Sequence, residues 1–466
     1  MTTNPFPKNT NSIHCALPSV EHRIFYFFYY FHLSLCRIPI KSTAAAAAAK
    51  MEQWNNVELT SINKKSYTLN HEYDGAQKQA KANSTTTTSE ATPNTNGNDA
   101  VLEPGSDIKP NLKLEDVEPL VRRLYGITIS EVKELLAYDD RNYFIKEDCN
   151  IKNPLIVTHC PDGYVLKILN ALDSKKQDFV DAQNQLLLYL SKEHVRCPRP
   201  IGNARGEYFS VEQIGGNAHV VRIMEFVPGK IFHEVPVTKN LLYQSGEYLA
   251  KLDRALKNFT HKAYDTHRTA WMLQSVPQLR DFLYALQDHQ RKALCEEIIE
   301  SFEKHVLSVL PTLQHQIIHG DYNEQNILVG AGTKPDQSDA YRVTGVIDFG
   351  DTSYSPLIFE LGIAMTYMML QAKQLESGGI FLAGYTSVQT ISEAERGYLK
   401  YCVAARLAQS LIMGAYTHSL HPGNDYVLVT QAKGWQMLEE LWRNNFETID
   451  ELWSSTAHQY LTQSTK

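Results

Sequence analysis

The chain has no CxxC pair and no Cys/His spacing that would hold a metal. Its seven cysteines (Cys15, Cys36, Cys149, Cys160, Cys197, Cys295 and Cys402) stand singly and are odd in number. That pattern fits reduced thiols in an intracellular protein better than a disulfide framework. A basic excess is also missing. Lys and Arg total 45 against 52 Asp and Glu, for a net charge of −7. Neither nucleic acid nor an anionic membrane is therefore an expected partner. No apolar run has the length of a membrane span. The strongest, Ile24–Phe31, reads IFYFFYYF and lies between Arg23 and Arg37. Nor is there a G-x-G-x-x-G phosphate cradle.

Residues 1–50 contain a single acid, Glu21. Two readings stay open for them. One is a mitochondrial leader; the other is an extension without structural role, with Met51 an alternative start after the Ala44–Ala49 run. The expected location is cytoplasmic. Residues 51–112 are rich in Thr, Ser, Asn, Lys and Pro and cannot bury enough apolar area to offset chain entropy. The whole of 1–112 is expected to be a disordered extension.

The remainder can build a core, since 43% of the chain is hydrophobic and 21% charged. Apolar spacing predicts a helix at Leu114–Tyr125 and another at Ser130–Leu136. Short β-like runs follow at Asn142–Lys146, Leu155–Thr158, Tyr164–Leu169, Tyr208–Gln213 and Val220–Phe226, with a helix at Lys176–Lys192 between the third and fourth. Beyond Pro228-Gly229 the pattern changes to long helices: Asn240–Asn258, Val276–Asp288, Lys292–Leu310, Pro356–Ala372, Glu393–Thr417 and Asp425–Asn445. The expected class is α+β with two lobes: a small β-rich lobe over 113–227, a larger helical lobe over 228–452, and a tail over 453–466.

Two motifs carry chemistry. His319-Gly320-Asp321-Tyr322-Asn323-Glu324-Gln325-Asn326 runs into an apolar strand, and Val346-Ile347-Asp348-Phe349-Gly350-Asp351 follows. Together they fit metal-dependent phosphoryl transfer. Asp321 can orient an attacking hydroxyl and accept its proton, while Asn326 and Asp348 offer the neutral and anionic oxygens that suit Mg²⁺. Lys167, inside the mostly apolar strand YVLKIL, needs an anion, and a nucleotide phosphate would serve.

In these motifs the chain resembles the aminoglycoside phosphotransferase branch of the protein-kinase-like fold. That branch has HGDxxxxN where protein kinases have HRDxxxxN, and IDFG where they have DFG. Tyr138–Asn142, Val403–Ser410 (VAARLAQS) and Trp435 extend the likeness toward the 5-hydroxylysine kinases. The resemblance implies a small-molecule kinase that uses Mg²⁺ and GTP (or ATP) and phosphorylates the hydroxyl of 5-hydroxy-L-lysine. The alternatives are a kinase of another small alcohol, such as choline, homoserine or a sugar, and a catalytically dead kinase fold serving as a binding module.

The resemblance also places further residues. Lys167 matches the strand lysine. The helix position that carries its glutamate partner in many relatives holds Gln183. The phosphate-covering loop falls at Tyr138–Asn142, with Asn142 as a phosphate contact and Asp139 and Asp140 in need of turning away. The hinge is Met224–Val227, where the backbone of Glu225 and Val227 would read the nucleobase. His319 is expected to shape the loop and Glu360 to brace it. An amino-acid substrate needs an acid for its ammonium groups and a base for its carboxylate. Asp351 and Arg406 are the candidates, although for Arg406 the reading as a partner of a structural acid is slightly favoured. Tyr354, Trp271 and Trp435 are candidate pocket walls.

Overall fold

The computed structural model describes residues 108–135, 140–148, 159–332, 340–420 and 426–464. The readings made of residues 1–107 and the strand expected at Leu155–Thr158 lie outside them. Packed structure is present before residue 113. Ile108 is buried, its carbonyl accepts the Ala171 N–H at 2.9 Å, and the Pro110 carbonyl accepts Arg141 Nε at 3.3 Å. The lower boundary of the small lobe therefore moves back at least to 108.

Helix α1, Val117–Tyr125, buries Val117, Leu120, Val121 and Leu124, and Gly126 ends it in the left-handed region at φ 65°. β1, Ile129–Leu135, replaces the helix expected at Ser130–Leu136. Its apolar residues fall three apart, a helical spacing. Antiparallel pairing to β2 (Arg141–Glu147) overrides that local signal, and a register irregularity between Ile129 and Glu131 absorbs the mismatch. β3 (Tyr164–Ile168), α2 (Gln177–Lys192), β4 (Pro200–Ile201), β5 (Ser210–Ile214) and β6 (Asn217–Glu225) complete the small lobe. The sheet runs β1-β2-β3-β6-β4, with β5 also on β6.

The two faces of this sheet differ in chemistry. Tyr143, Ile145, Tyr164, Leu166, Ile168, Val221 and Ile223 pack with α1 into an apolar core. The strand period of two sends the alternate residues to the opposite face. There the register aligns Phe144, Val165 and Met224 in one row and Asn142, Lys167 and Arg222 in the next. An apolar row near the hinge thus borders a polar, cationic row.

The large lobe comprises β7 (Lys230–Ile231), α3 (Lys239–Leu256), α4 (Ala263–Thr266), α5 (His289–His305), β8 (His315–Ile318), β9 (Ile327–Ala331), β10 (Tyr341–Val346), β11 (Ser353–Pro356), α6 (Leu357–Ala372), α7 (Ser377–Thr386), α8 (Glu393–Arg396), α9 (Leu399–Leu420), α10 (Tyr426–Arg443) and α11 (Phe446–Ser464). Two small antiparallel ladders, β10-β9-β7 and β11-β8, present the two motif loops. The layout is the expected two-lobed α+β kinase-like one.

Several elements depart from expectation. Leu273–Ala285 is a 3₁₀ stretch containing Pro277, not an α-helix, because proline removes a ladder N–H. The helix expected at Glu393–Thr417 is broken: Ser392 accepts the Glu395 N–H and opens only Glu393–Arg396, and α9 begins after Gly397. The expected tail boundary at 452/453 falls inside α11. Trp453 is 1% exposed and donates from Nε1 to the Leu375 carbonyl at 2.9 Å. Helix α7, hydrophobic all round, escaped the periodicity reading. It crosses α3 at paired glycines. A Cβ on Gly384 would stand 1.9 Å from the Tyr243 carbonyl oxygen, and one on Gly246 would stand 2.0 Å from that of Phe381. Among the described residues no helix is long and apolar enough to cross a membrane.

Candidate active site

The loop after β8 carries the first motif, and its glycine fixes the loop's path. Gly320 has φ 79°, and a Cβ there would meet the Asp351 carbonyl oxygen at 2.4 Å. The two motif loops therefore touch backbone to backbone, as only glycine allows. Glu360, near the start of α6, accepts the Gly320 N–H at 2.8 Å. Burial raises its carboxyl to about 7. His319 is fully buried, which lowers its pKa. Its Nδ1 accepts the Asp321 N–H at 3.3 Å, so Nε2 carries the hydrogen and donates to the Ile347 carbonyl at 3.1 Å. A neutral histidine thus ties the first loop to the second, in line with the shaping role expected of it.

Asp321 is held on every side. Its Oδ2 accepts Asn323 Nδ2 at 2.9 Å and Asn326 Nδ2 at 3.0 Å, and its Oδ1 accepts Arg406 Nη2 at 3.1 Å. Asn326 Nδ2 also reaches the Asp321 carbonyl at 3.0 Å. A carboxylate only accepts, so Asn326 must turn its nitrogen toward Asp321 and its oxygen away. That oxygen and the Asp348 carboxylate are the donors available to a cation. Asp348 lies in the left-handed region at φ 62°, an uncommon conformation for a non-glycine residue. A Cβ on Gly350 would sit 3.2 Å from Asp348 Oδ1. One carboxylate and one amide oxygen suit Mg²⁺, which takes few protein ligands and completes its shell with phosphates and water. Among the described residues no cluster of three His, Cys, Asp or Glu offers a protein-only cage.

Arg406 on α9 differs from the free carboxylate receptor considered from sequence. It is 1% exposed and fully engaged. Nε donates to Tyr367 Oη at 3.1 Å, and Nη1 to the Trp271 carbonyl and to Gln409 Oε1, each at 3.0 Å. The Trp271 and Tyr367 rings flank its charge at 5.1 and 5.3 Å. With Nη2 on Asp321, at most one N–H remains, too few for a two-pronged grip on a carboxylate. The alternative pairing with an acid is the one present, and the acid is Asp321 itself.

Asp351 lines a recess with Thr269, Trp271, Gly320, Ser353 and Ser355. Tyr354 is on the opposite side of β11, exposed and stacked on His315. Trp435 is buried under the Arg291 guanidinium and away from the recess. Of the three candidate walls, only Trp271 stands at the recess.

In the small lobe Lys167 Nζ lies 3.4 Å from Asp140 Oδ2. Asp140 Oδ1 accepts the Asn170 N–H at 2.8 Å, so this acid is turned onto the sheet. Tyr138 and Asp139 lie outside the described residues; Asn142 is the buried cross-strand neighbour of Lys167. Gln183 does not meet Lys167. It accepts from Arg222 Nη2 at 3.0 Å and donates to the Phe349 carbonyl at 3.4 Å. Glu225 ends β6, where its carboxylate lies 3.3 Å from Arg199 Nε, and Val227 follows, buried. Sequence reading missed Arg222 and Glu324. Only the β3/β6 register could have pointed to Arg222. Glu324 lies within the motif, fully buried beside Asp321, and burial pushes its carboxyl up to about 8.

Residues 131–395 match the model of the phosphotransferase enzyme family. The chain is 33% identical to the hydroxylysine kinase of Bos taurus over 361 residues, covering 76% of this chain and 95% of that one. It is 31% identical to that of Xenopus laevis over 367 residues, covering 76% and 96%. A homoserine kinase of Granulibacter bethesdensis matches at 26% over 48% of this chain and 66% of that one. Among solved structures, a microcompartment-associated aminopropanol kinase superposes with TM-score 0.54 at 16% identity, over 72% of this chain and 97% of that one. Amicoumacin kinase, in complex with AMP-PNP and Ca²⁺, gives TM-score 0.53 at 16% identity and the same coverage. The chain belongs to the phosphotransferase enzyme family, among its hydroxylysine-kinase-like members, and is a small-molecule kinase acting on an alcohol group.

Proposed function

We propose that the protein transfers the γ-phosphoryl group of GTP to the 5-hydroxyl of 5-hydroxy-L-lysine. The observation that carries this is joint. Likeness to hydroxylysine kinases spans 95% of the Bos taurus protein, and Asp321 and Asn326 sit at hydrogen-bond distance beside the Asp348 loop. The nucleobase packs against the apolar row Phe144, Val165 and Met224 and meets the backbone at Glu225 and Val227. The phosphates reach Lys167 and Asn142 in the adjoining row. Asp348 and Asn326 would hold Mg²⁺, which would neutralise phosphate charge.

Asp321 receives the substrate hydroxyl. The hydroxyl oxygen bonds to the γ-phosphorus, the bond to the β,γ-bridging oxygen breaks, GDP leaves, and the hydroxyl proton passes to Asp321. Asn323, Asn326 and Arg406 keep the carboxylate aimed, so orientation costs little at the moment of reaction. Asp351 meets a substrate ammonium in the recess it lines.

Purified protein assayed with Mg²⁺, GTP or ATP, and a panel of hydroxylysine, homoserine and choline tests the reading. Turnover of hydroxylysine, faster with GTP, is expected. Turnover of homoserine or choline without hydroxylysine overturns the acceptor, and absence of all transfer favours a binding module.

A further inference from the structure

Arg222 has no place in the chemistry above, yet it is a buried cation at the centre of the cleft. It lies opposite Lys167 across the β3/β6 ladder, on the same face, and is 6% exposed. Nη1 donates to Asn184 Oδ1 and Nη2 to Gln183 Oε1, each at 3.0 Å, while Nε has no hydrogen-bond partner among the described residues. No carboxylate lies within ion-pair distance of it among those residues. The acids that balance its charge, Asp140 and Asp348, act through space.

A guanidinium has donors only. Gln183 must therefore present its oxygen to Arg222, which sends Nε2 the other way, to the Phe349 carbonyl at 3.4 Å. Phe349 follows Asp348 directly. The carbonyl on the other side, that of Ile347, is held by His319 Nε2 at 3.1 Å. The peptide that precedes Asp348 and the Phe349–Gly350 peptide one residue beyond it are thus pinned, one from each lobe, on either side of a residue whose φ of 62° is costly for a side chain with a Cβ. Helix α2 can carry this link because its apolar face, Ala182, Leu186, Leu187 and Leu190, packs into the core of the large lobe.

We propose that Arg222 is a positioning residue for Asp348: by fixing the Gln183 amide it holds the Phe349 carbonyl, and so sets the sheet, α2 and the metal-binding loop in one register. In protein kinases a strand lysine and a helix glutamate provide that register as an ion pair. Here the cation is on the neighbouring strand and the helix contributes amides, while Lys167 pairs with Asp140. The inference rests on the reading of Asp348 as a cation ligand.

The test is Mn²⁺ binding in the presence of GDP, by calorimetry on the full-length protein, for Gln183→Glu, Arg222→Met and Asp348→Asn. Gln183→Glu keeps an acceptor for Arg222, and hence the fold, but cannot donate to Phe349. Arg222→Met removes the group that orients the amide. Both make the surroundings of Asp348 more negative, so charge alone would tighten a divalent cation. The relay predicts the opposite: binding about tenfold weaker, the usual scale for losing a group that orients a ligand. Thermal midpoint should be retained in Gln183→Glu, and kcat should fall while the KM for the acceptor is unchanged. Unchanged or tighter Mn²⁺ in Gln183→Glu, with binding lost in Asp348→Asn, overturns the relay alone. Wild-type binding in all three variants overturns the metal-site reading beneath it as well.

Discussion

At the scale of single residues, the centre is a matter of which atoms face which. Asp321 has no freedom to choose a rotamer, because Asn323, Asn326 and Arg406 each claim one of its oxygens. Arg406 therefore acts through Asp321. Arg406→Met should lower kcat by about 10²-fold, within the range that positioned acid–base groups supply, with the KM for hydroxylysine little changed. Steady-state kinetics decide it, since a carboxylate receptor would raise KM instead. Glu324 makes a prediction of the opposite kind. Its folded pKa, about 8, is above the 4.5 of an unperturbed carboxyl, because burial disfavours the charge. A raised pKa means stability that is full below pH 4.5 and lost as pH climbs toward 8. Glu324→Gln should melt higher than the parent at pH 8.5 by a few degrees and show a smaller gap at pH 5.5. A gap that is constant or reversed across those two pH values contradicts this.

The residues proposed for catalysis could be picked out in sequence because each motif is contiguous and its residue types have one good reading. Arg406 was visible too, but only as a choice between two partners, and chemistry alone could not say that the acid was Asp321. Arg222 was illegible. Its role depends on the β3/β6 register and on the facing of one amide, neither of which has a local signature.

At the scale of elements, tertiary contacts decided where local signals failed. The β1 segment has a helical spacing and pairs as a strand. The 3₁₀ stretch, α7 and α11 show why periodicity has limits. Pro277 interrupts the first, and α7 is buried on all sides, so it has no polar face to reveal it. The crossing of α3 and α7 sets two effects against each other. Gly384→Ala should gain about 1 kcal/mol of helix propensity. It also places a Cβ 1.9 Å from a backbone oxygen, and such overpacking costs about 1–3 kcal/mol, more where backbone must move. The clash should win, and thermal unfolding should show a lower midpoint for Gly384→Ala. Trp453→Ala should cost about 3–5 kcal/mol, measured by denaturant unfolding, because α11 is core and not tail.

At the scale of the whole molecule, a sheet with one apolar face on α1 and one functional face on the cleft meets a helical lobe that carries both motif loops. His319 joins the two loops and Gln183 joins the cleft to the second. The centre thus belongs to neither lobe alone. The likeness to hydroxylysine kinases supports the proposed acceptor, and the carboxylate and amide oxygens suit the proposed metal. The claim that binds these together is transfer to the 5-hydroxyl at Asp321. Its most direct measurement is ³¹P NMR of a reaction containing Mg²⁺, GTP and 5-hydroxy-L-lysine, run with the parent protein and with Asp321→Asn. A phosphomonoester on the 5-oxygen should form in step with GDP, and Asp321→Asn should slow it by about 10²–10⁴-fold. GDP released without a phosphoester, or the same product formed at an undiminished rate by Asp321→Asn, would contradict the account.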